Sequence, residues 1–361
     1  MSSPETPRSQ VPASPEEAAT APKAVIFGCA GLTLGEAERD FFRTANPLGF
    51  ILFANNCESP DQIRALTAAL RASVGRDDAL VLIDQEGGKV ARLKPPHWRA
   101  APAAAAFGTL FERDREGALE AARLNARLLA ADLDDIGINV DCAPVLDVPM
   151  PGAHDVIGDR AFSASPKTVA ALGEAFCHGL LEGGVMPVLK HIPGHGRAMT
   201  DSHFDLPVVN APLEELRLRD FVPFKALGAQ PFAMAAHVVY QAIDAKAPAT
   251  VSRAVTDGVI RGELGFEGVL LSDDLSMEAL KGSLPERAEA VLAGGCDVAL
   301  HCSGKLDEME AVAAASGAMS ETALARLARG LGMRRKPEPV DRAIVERRID
   351  TLFGGGGSNG A

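Results

Sequence analysis

A short stretch near the middle of the chain is dense in groups that can hold or transfer protons. Three of the eight histidines, His191, His195 and His203, lie between positions 191 and 203. Lys190 precedes them at the end of an apolar run, and Asp201 lies two residues before the last of them. A rigid strand that ends in a polar loop is a usual position for catalytic groups. This stretch is therefore the first candidate for a catalytic or binding site.

These residues fit more than one kind of chemistry. Asp201 could orient His203 and raise its basicity, although the same spacing also occurs in an Asx turn beside a surface histidine. Histidine and aspartate are common zinc ligands, so His191, His195 and His203 could instead form a metal site with Asp201. Their spacing matches no established metal-ligand motif, and His195 could simply hold its loop through backbone hydrogen bonds. The residues alone leave these interpretations open.

Charged residues follow other apolar runs of the chain in the same way. Asp84 follows the third run, Arg92 lies in the turn after it, and Arg160 lies in the loop beyond the fourth. In isolation, Asp84 could cap a loop and the two arginines could form surface ion pairs. Lys190 differs, because a lysine at the end of a buried strand needs a carboxylate or a ligand. This convergence of polar groups is typical of a site for a small polar ligand.

Two adjacent carboxylates, Asp273 and Asp274, follow the seventh apolar run. Leu271 and Asp273 share one face of an extended strand, and Asp274 lies on the other. Both faces of a barrel strand are buried, so this alternation does not select one carboxylate for catalysis. Asp274 also precedes a helical pattern at residues 275–280 and could cap that helix.

The elements that position these residues alternate regularly between apolar runs and helical patterns. Eight short apolar runs predict strands at residues 24–27, 49–54, 79–83, 138–142, 185–189, 232–236, 268–271 and 297–301. Helical patterns fall at residues 34–44, 61–73, 112–136, 165–182, 213–226, 256–264, 285–293, 307–314 and 321–331. Buried strands alternating with helices indicate an α/β fold with a parallel sheet, and eight such units predict a (β/α)8 TIM barrel. An open doubly wound sheet is the alternative, but residues 28–31 match its glycine-rich fingerprint poorly.

The pattern predicts one catalytic barrel domain at residues 23–353. Residues 1–22, rich in Ser, Pro, Glu and Ala, predict a disordered N-terminal tail, and residues 354–361 a flexible glycine-rich tail. A last helix at residues 340–353 is expected to pack on the barrel wall. No second domain is predicted.

The composition excludes several classes of partner and location. The net charge of −12, without a Lys/Arg block, argues against nucleic acid and anionic membrane surfaces. No apolar run is long enough to span a membrane, and the N-terminus lacks the features of a secretory signal. The six cysteines are scattered without a C-x-x-C pair, which favours a reducing compartment. We therefore predict a cytoplasmic protein.

Taken together, the motifs resemble those of the β-N-acetylhexosaminidases of glycoside hydrolase family 3, and most closely the cytoplasmic β-N-acetylglucosaminidases of bacterial peptidoglycan recycling. The matching residues appear in the family's order and span nearly all of the barrel. They are Asp84-Gln85-Glu86-Gly87-Gly88-x-Val90-x-Arg92, Gly158-Asp159-Arg160-Ala161-Phe162, Lys190-His191-x-Pro193-Gly194-His195-Gly196, Asp201-Ser202-His203, Ala236-His237-Val238-x-Tyr240 and Ser272-Asp273-Asp274-Leu275-Ser276-Met277.

The resemblance implies a retaining glycosidase in which Asp273 is the nucleophile and forms a covalent glycosyl ester. It implies that His203 is the general acid/base, with Asp201 as its partner. Chemistry alone would suggest two carboxylates about 5–5.5 Å apart. A histidine can nevertheless serve, because its ordinary pKa of about 6.5 lies near neutral pH.

The same resemblance implies that an N-acetylglucosamine ring is bound by Asp84, Arg92, Arg160, Lys190 and His191. It implies no metal and no cofactor. The expected substrates are muropeptides of the N-acetylglucosaminyl-1,6-anhydro-N-acetylmuramoyl type, cleaved exo-wise by a monomer. Three alternatives stay open: a phosphorylase using the same site, a metal-dependent hydrolase using His191, His195 and His203, and a sugar-binding barrel without catalysis.

Overall fold

Eight parallel strands in the described part of the chain form a closed barrel. The computed structural model describes residues 21–152, 157–198, 200 and 206–354. Neighbouring strands follow chain order, and the last pairs with the first, which closes the barrel. This confirms the predicted (β/α)8 architecture. We call the strands first to eighth; they are Lys23–Phe27, Pro47–Leu52, Leu80–Ile83, Val140–Asp141, Met186–Ile192, Phe232–Ala235, Val269–Asp274 and Val298–His301.

Helices surround the barrel at most of the predicted positions. Pro60–Val74 is a clear case, since Ser59 accepts a hydrogen bond from Gln62 N, Pro60 begins the helix and Gly75 ends it with φ of 63°. The other helices are Glu36–Ala45, Ala104–Arg113, Arg115–Asp135, Pro166–Glu182, Leu213–Leu218, Phe221–Ala226, the π-helix Ala254–Glu263, Leu284–Ala293, Leu306–Ala315, Glu321–Met333 and Arg342–Phe353.

Three predicted helices differ from the structure. The pattern at 112–136 is interrupted at Asp114, whose carboxylate caps the helix that begins at Arg115. The pattern at 213–226 is divided at residues 219–220 into two short helices. Residues 275–280 form turns, with three-residue hydrogen bonds from Met277 N to Asp274 O and from Leu280 N to Met277 O. The helical interpretation of 275–280 was therefore wrong.

Two apolar layers hold the barrel together. Alternate strand residues fill its interior, such as Val269 and Leu271 of the seventh strand, while Leu270 packs outward under the helices. Helix Glu321–Met333 packs against the interior cluster. Asp297, which directly precedes the eighth strand, accepts hydrogen bonds from arginines on two of the helices, Arg261 at 2.8 Å and Arg326 at 2.6 Å.

The last helix packs on the outer layer, as predicted. Helix Arg342–Phe353 contacts helix Arg115–Asp135, and its residue Ile349 is buried. Arg348 also forms a two-pronged ion pair with Glu120. No helix among the described residues is both long enough and apolar enough to cross a membrane.

Candidate active site

The carboxyl ends of the barrel strands surround a cavity of about 220 Å³. Apolar groups from several strand ends form part of its wall, including Phe53, Met234 and Met277. Its charged and histidine lining comes from the third, fifth and seventh strands and from the loop after the fourth. These residues are Asp84, Glu86, Arg92, Arg160, Lys190, His191, His195, Asp273 and Asp274.

The inward direction of Lys190 and Asp273 follows from strand alternation. In an extended chain, residues two apart share a face, so a residue two positions beyond an interior residue continues the interior face. Asp273 follows the interior residue Leu271 in this way, and Lys190 follows Val188. The interior packing thus distinguishes Asp273 from Asp274, which the sequence pattern did not.

Asp274 is held by backbone groups instead. Its Oδ1 accepts hydrogen bonds from Ser276 N at 3.1 Å and Cys302 N at 3.2 Å. It therefore caps a turn and ties the seventh strand end to the eighth, where the sequence suggested a helix cap. Asp273 Oδ1 accepts from Asp274 N at 2.9 Å, which fixes one oxygen of the inward carboxylate.

A buried network of five charged groups forms one side of the cavity. Lys190 Nζ lies 2.8 Å from Asp84 Oδ1 and 2.6 Å from Glu86 Oε1. Arg92 donates to Asp84 Oδ2 at 2.9 Å, and Arg160 donates to both oxygens of Glu86 at 2.8 Å. Lys190 thus has two carboxylate partners, as expected for a lysine at the end of a buried strand. Arg92 and Arg160 pair with carboxylates inside the cavity and not on the protein surface.

The network keeps its charges despite burial. Burial by itself would raise the pKa of Asp84, but the cations of Lys190 and Arg92 hold it well below its usual value. Glu86 follows the same pattern, since Lys190 and Arg160 lower its pKa against the effect of burial. Burial disfavours the charged form of Lys190, yet Asp84 and Glu86 raise its pKa above the usual value. The site is therefore an array of preformed ions.

A small hairpin, Gln85–Gly87 with Val90–Ala91, positions two members of this network. Gly87 and Gly88 have positive φ, and a Cβ on Gly87 would lie 2.4 Å from Pro102 O, so the turn requires glycine. The Gln85 side chain accepts from the backbone N–H groups of Arg92 and Leu93. These contacts bring Glu86 and Arg92 to the same wall.

A second cluster joins the fourth and fifth strand ends. The buried carboxylate of Asp147 lies with Oδ2 2.7 Å from His191 Nδ1, and its Oδ1 accepts from His191 N at 3.2 Å and His195 N at 2.6 Å. Burial, with His191 nearby, lowers the pKa of His195 to about 4, so its ring is neutral at neutral pH. The backbone contact of His195 agrees with a role in holding the loop.

His237, beyond the sixth strand, contacts the backbone of the seventh strand. A carbonyl only accepts hydrogen bonds, so His237 Nε2 carries a hydrogen toward Asp274 O at 3.1 Å. Its Nδ1 lies 2.6 Å from Thr250 Oγ1, and burial lowers its pKa. The ring is therefore neutral and holds the end of the seventh strand through this hydrogen bond.

The structure brings six of the eight predicted site residues together. Asp84, Arg92, Arg160, Lys190, His191 and Asp273 line one cavity, while Asp201 and His203 lie outside the described residues. Sequence reasoning missed three buried participants, Glu86, Asp147 and His237. Glu86 could have been found, because it lies two positions after Asp84 in the Asp-Gln-Glu-Gly-Gly motif. Asp147 was marked only by its position after the fourth apolar run, and its partners come 44 and 48 positions later.

The described residues contain no group of three or more His, Cys, Asp or Glu side chains arranged to hold a metal ion. His203, which the metal interpretation needs, lies outside them. His191 also has one ring nitrogen occupied by Asp147, which leaves a single nitrogen for any other partner.

Comparisons with known proteins show the family of this chain. The model of the glycosyl hydrolase family 3 N-terminal domain matches residues 34–329. A β-hexosaminidase of Bordetella avium is 39% identical over 286 residues, which cover 78% of this chain and 81% of that protein. A β-hexosaminidase of Xylella fastidiosa is 40% identical over 304 residues, covering 83% and 89% of the two chains.

A solved structure shares the fold over nearly its whole length. NagZ from Neisseria gonorrhoeae, in complex with N-trifluoroacetyl-D-glucosamine, superposes with a TM-score of 0.83 at 30% identity, covering 92% of this chain and 98% of that one. The motif order, the barrel and these relatives all indicate the same family. The chain belongs to glycosyl hydrolase family 3 and is a glycoside hydrolase of the β-N-acetylhexosaminidase type.

Proposed function

We propose that this chain is a retaining exo-β-N-acetylglucosaminidase that removes terminal N-acetylglucosamine from muropeptides of the 1,6-anhydro-N-acetylmuramoyl type. Asp273 is the nucleophile, and His203, oriented by Asp201, is the general acid/base. The sugar is held by the five predicted ligands, Asp84, Arg92, Arg160, Lys190 and His191. The substrate is a small carbohydrate and the enzyme acts in the cytoplasm as a monomer.

One observation carries the proposal: an inward carboxylate, Asp273, shares its cavity with a prearranged set of ions. Carboxylates accept hydrogen bonds from sugar hydroxyls, and Arg and Lys donate to them. A ring held by Asp84, Lys190 and Arg160 in the same cavity as Asp273 can present its anomeric carbon to that carboxylate.

The chemistry proceeds in two steps. Asp273 attacks the anomeric carbon while the C–O bond to the leaving group breaks, and the imidazolium of His203 delivers its proton to the leaving oxygen. His203, then neutral, takes a proton from water as that water cleaves the Asp273 ester. Two inversions return the original configuration.

Hydrolysis and phosphorolysis differ in the molecule that reacts with the glycosyl ester of Asp273. In that ester Asp273 carries no charge, so the described lining holds three carboxylates, Asp84, Glu86 and Asp274, and three cations, Arg92, Arg160 and Lys190. The charges balance, so the cavity neither repels nor attracts a phosphate dianion by net charge. Product analysis in phosphate buffer separates the two reactions, since hydrolysis yields free N-acetylglucosamine and phosphorolysis yields its 1-phosphate.

The nucleophile is tested by substitution and by trapping. Asp273→Asn is expected to lower kcat on 4-nitrophenyl N-acetyl-β-glucosaminide by ~10³-fold or more, because an amide does not form the ester. Asp132→Asn is a matched control, since Asp132 is a buried carboxylate of the outer layer paired with Arg342. Mass spectrometry after a slow fluorosugar should locate the adduct on Asp273. An adduct on Asp274, or full activity in Asp273→Asn, contradicts the assignment.

The acid/base is tested through the leaving group. His203→Ala should slow cleavage of substrates with poor leaving groups much more than that of activated aryl glycosides, since only the former need protonation. Equal losses would exclude His203 as the acid. Activity that disappears in chelator and returns with added metal would support the metal-dependent alternative, and binding of N-acetylglucosamine without turnover would favour a non-catalytic barrel.

A further inference from the structure

One buried carboxylate beside the cavity has no role in the two-step chemistry. Asp147 is 0% exposed and accepts three hydrogen bonds, two from the backbone N–H groups of His191 and His195 and one at its Oδ2 from His191 Nδ1. Burial would raise the pKa of Asp147, but His191 and His195 lower it below the usual value. The group is therefore a carboxylate, which only accepts hydrogen bonds.

This arrangement decides where the hydrogen of the His191 ring lies. Because the carboxylate only accepts, Nδ1 must carry hydrogen. In the neutral ring, Nε2 is then an acceptor. The Nδ1 edge faces Asp147, so the opposite edge is the one left for the cavity, where the side chain is 10% exposed. Within the described part of the chain, no residue forms a hydrogen bond with Nε2.

The neighbouring groups make an acceptor at this position useful. Lys190 and Arg160 donate hydrogen bonds in the same cavity. A sugar hydroxyl that accepts a hydrogen bond from such a cation can still donate its own hydrogen to an acceptor. An acceptor on the adjacent residue satisfies it, whereas another donor would leave it unpaired.

We propose that Asp147 is a positioning residue that keeps hydrogen on Nδ1 of His191, so that Nε2 accepts a hydrogen bond from one hydroxyl of the bound sugar. The inference rests on the proposed function, because it takes the ligand to be N-acetylglucosamine. It assigns opposite roles to adjacent residues, with Lys190 donating and His191 accepting. Asp147 acts on the ligand only through the ring of His191.

The tautomer is tested without any ligand. Asp147→Asn retains an oxygen for the two backbone N–H groups, while its amide nitrogen faces Nδ1 and donates to it. Nitrogen-15 NMR of histidine-labelled protein should show hydrogen on Nδ1 of His191 in the wild type and on Nε2 in Asp147→Asn, with His191→Gln identifying the signal. An unchanged tautomer in Asp147→Asn overturns the proposal.

The acceptor role is tested by calorimetry with N-acetylglucosamine and its 3-, 4- and 6-deoxy analogues. One analogue should bind the wild type about tenfold more weakly than the parent sugar, and in Asp147→Asn that gap should close while the parent itself binds about tenfold more weakly. In a His191→Gln background, Asp147→Asn should add nothing. Asp132→Asn is the control.

The outcomes separate the two hypotheses. Independent, additive effects of Asp147→Asn and His191→Gln would mean that Asp147 acts through another route, and the inference would fail. Absence of N-acetylglucosamine binding in the wild type would refute the proposed function and the acceptor role together, while the NMR result would still decide whether Asp147 sets the tautomer. Tight sugar binding with equal affinity for all three deoxy analogues would refute the acceptor role alone.

Discussion

Asp141 gives a prediction in which structure and pH are directly linked. This carboxyl group, at the end of the fourth strand, is 0% exposed. Its Oδ1 accepts from Gln85 N at 3.0 Å, while Oδ2 has no hydrogen-bond partner among the described residues. Burial raises the pKa of Asp141 from 3.8 to about 7, against the lowering effect of the Gln85 backbone and of Lys190.

The sign of the effect follows from proton linkage. The folded chain holds a proton on Asp141 that the unfolded chain releases near pH 3.8, so stability falls as pH rises from about 4 to about 7 and is then constant. The whole range corresponds to about 4 kcal/mol, of which about 2.5 kcal/mol lies between pH 5 and 8. Asn at this position retains the oxygen for Gln85 and does not ionise.

Denaturant unfolding of the wild type and Asp141→Asn at several pH values measures this difference. The free energy of unfolding of Asp141→Asn relative to the wild type should increase by about 2.5 kcal/mol from pH 5 to pH 8. Asp147→Asn is an internal comparison, since the lowered pKa of Asp147 stabilises the wild type by a constant amount above the unfolded pKa of 3.8 and that advantage is lost only below it, so its difference from the wild type should stay flat from pH 5 to 8. A difference between Asp141→Asn and wild type that stays flat from pH 5 to 8 would refute the reasoning.

Two further substitutions test the frame of the site. Lys190→Met leaves Asp84 and Glu86 with one cation each. We expect the free energy of unfolding to fall by about 3–5 kcal/mol, measured by denaturation, and N-acetylglucosamine binding to be lost, measured by calorimetry. Unchanged stability would contradict a buried ion network. Gly108→Ala places a Cβ 1.7 Å from Phe162 O. The substitution should lower the free energy of unfolding by at least about 2 kcal/mol, and it should lower activity by displacing the adjacent loop that carries Arg160. A melting temperature equal to that of the wild type would show that the contact relaxes freely.

Sequence reasoning located all eight barrel strands because each is buried on both faces and is therefore almost continuously apolar. It placed six site residues in one cavity for a related reason, since the carboxyl ends of parallel strands meet at one rim. Helix ends were less predictable. The interruption at Asp114 depends on a cap contact to Gly117, and residues 275–280 form successive turns after a strand end that is bonded to the neighbouring strand.

The choice between Asp273 and Asp274 shows where local pattern stops being informative. Alternation says only that the two carboxylates lie on opposite faces. Which face is interior depends on packing against strands that are distant in the chain. The Asp274 carboxylate is also held by a hydrogen bond from Cys302 N, 28 residues later in the chain. Asp147 is an extreme case, because all three of its hydrogen bonds come from the end of the neighbouring fifth strand, 44 and 48 residues later.

The charged network explains why so ionic a cavity suits a neutral sugar. Lys190 donates two of its three N–H groups to Asp84 and Glu86, so one donor is left for a ligand. Asp84 receives one cation on each oxygen and retains further lone pairs. The near balance of charge removes net attraction for an ion, while each group keeps a hydrogen-bonding position fixed by its partners. A ring bearing several hydroxyls, each able to donate once and accept, fits such an array better than a phosphate or a metal ion does, because it satisfies donors and acceptors together without disturbing the ion pairs that hold them.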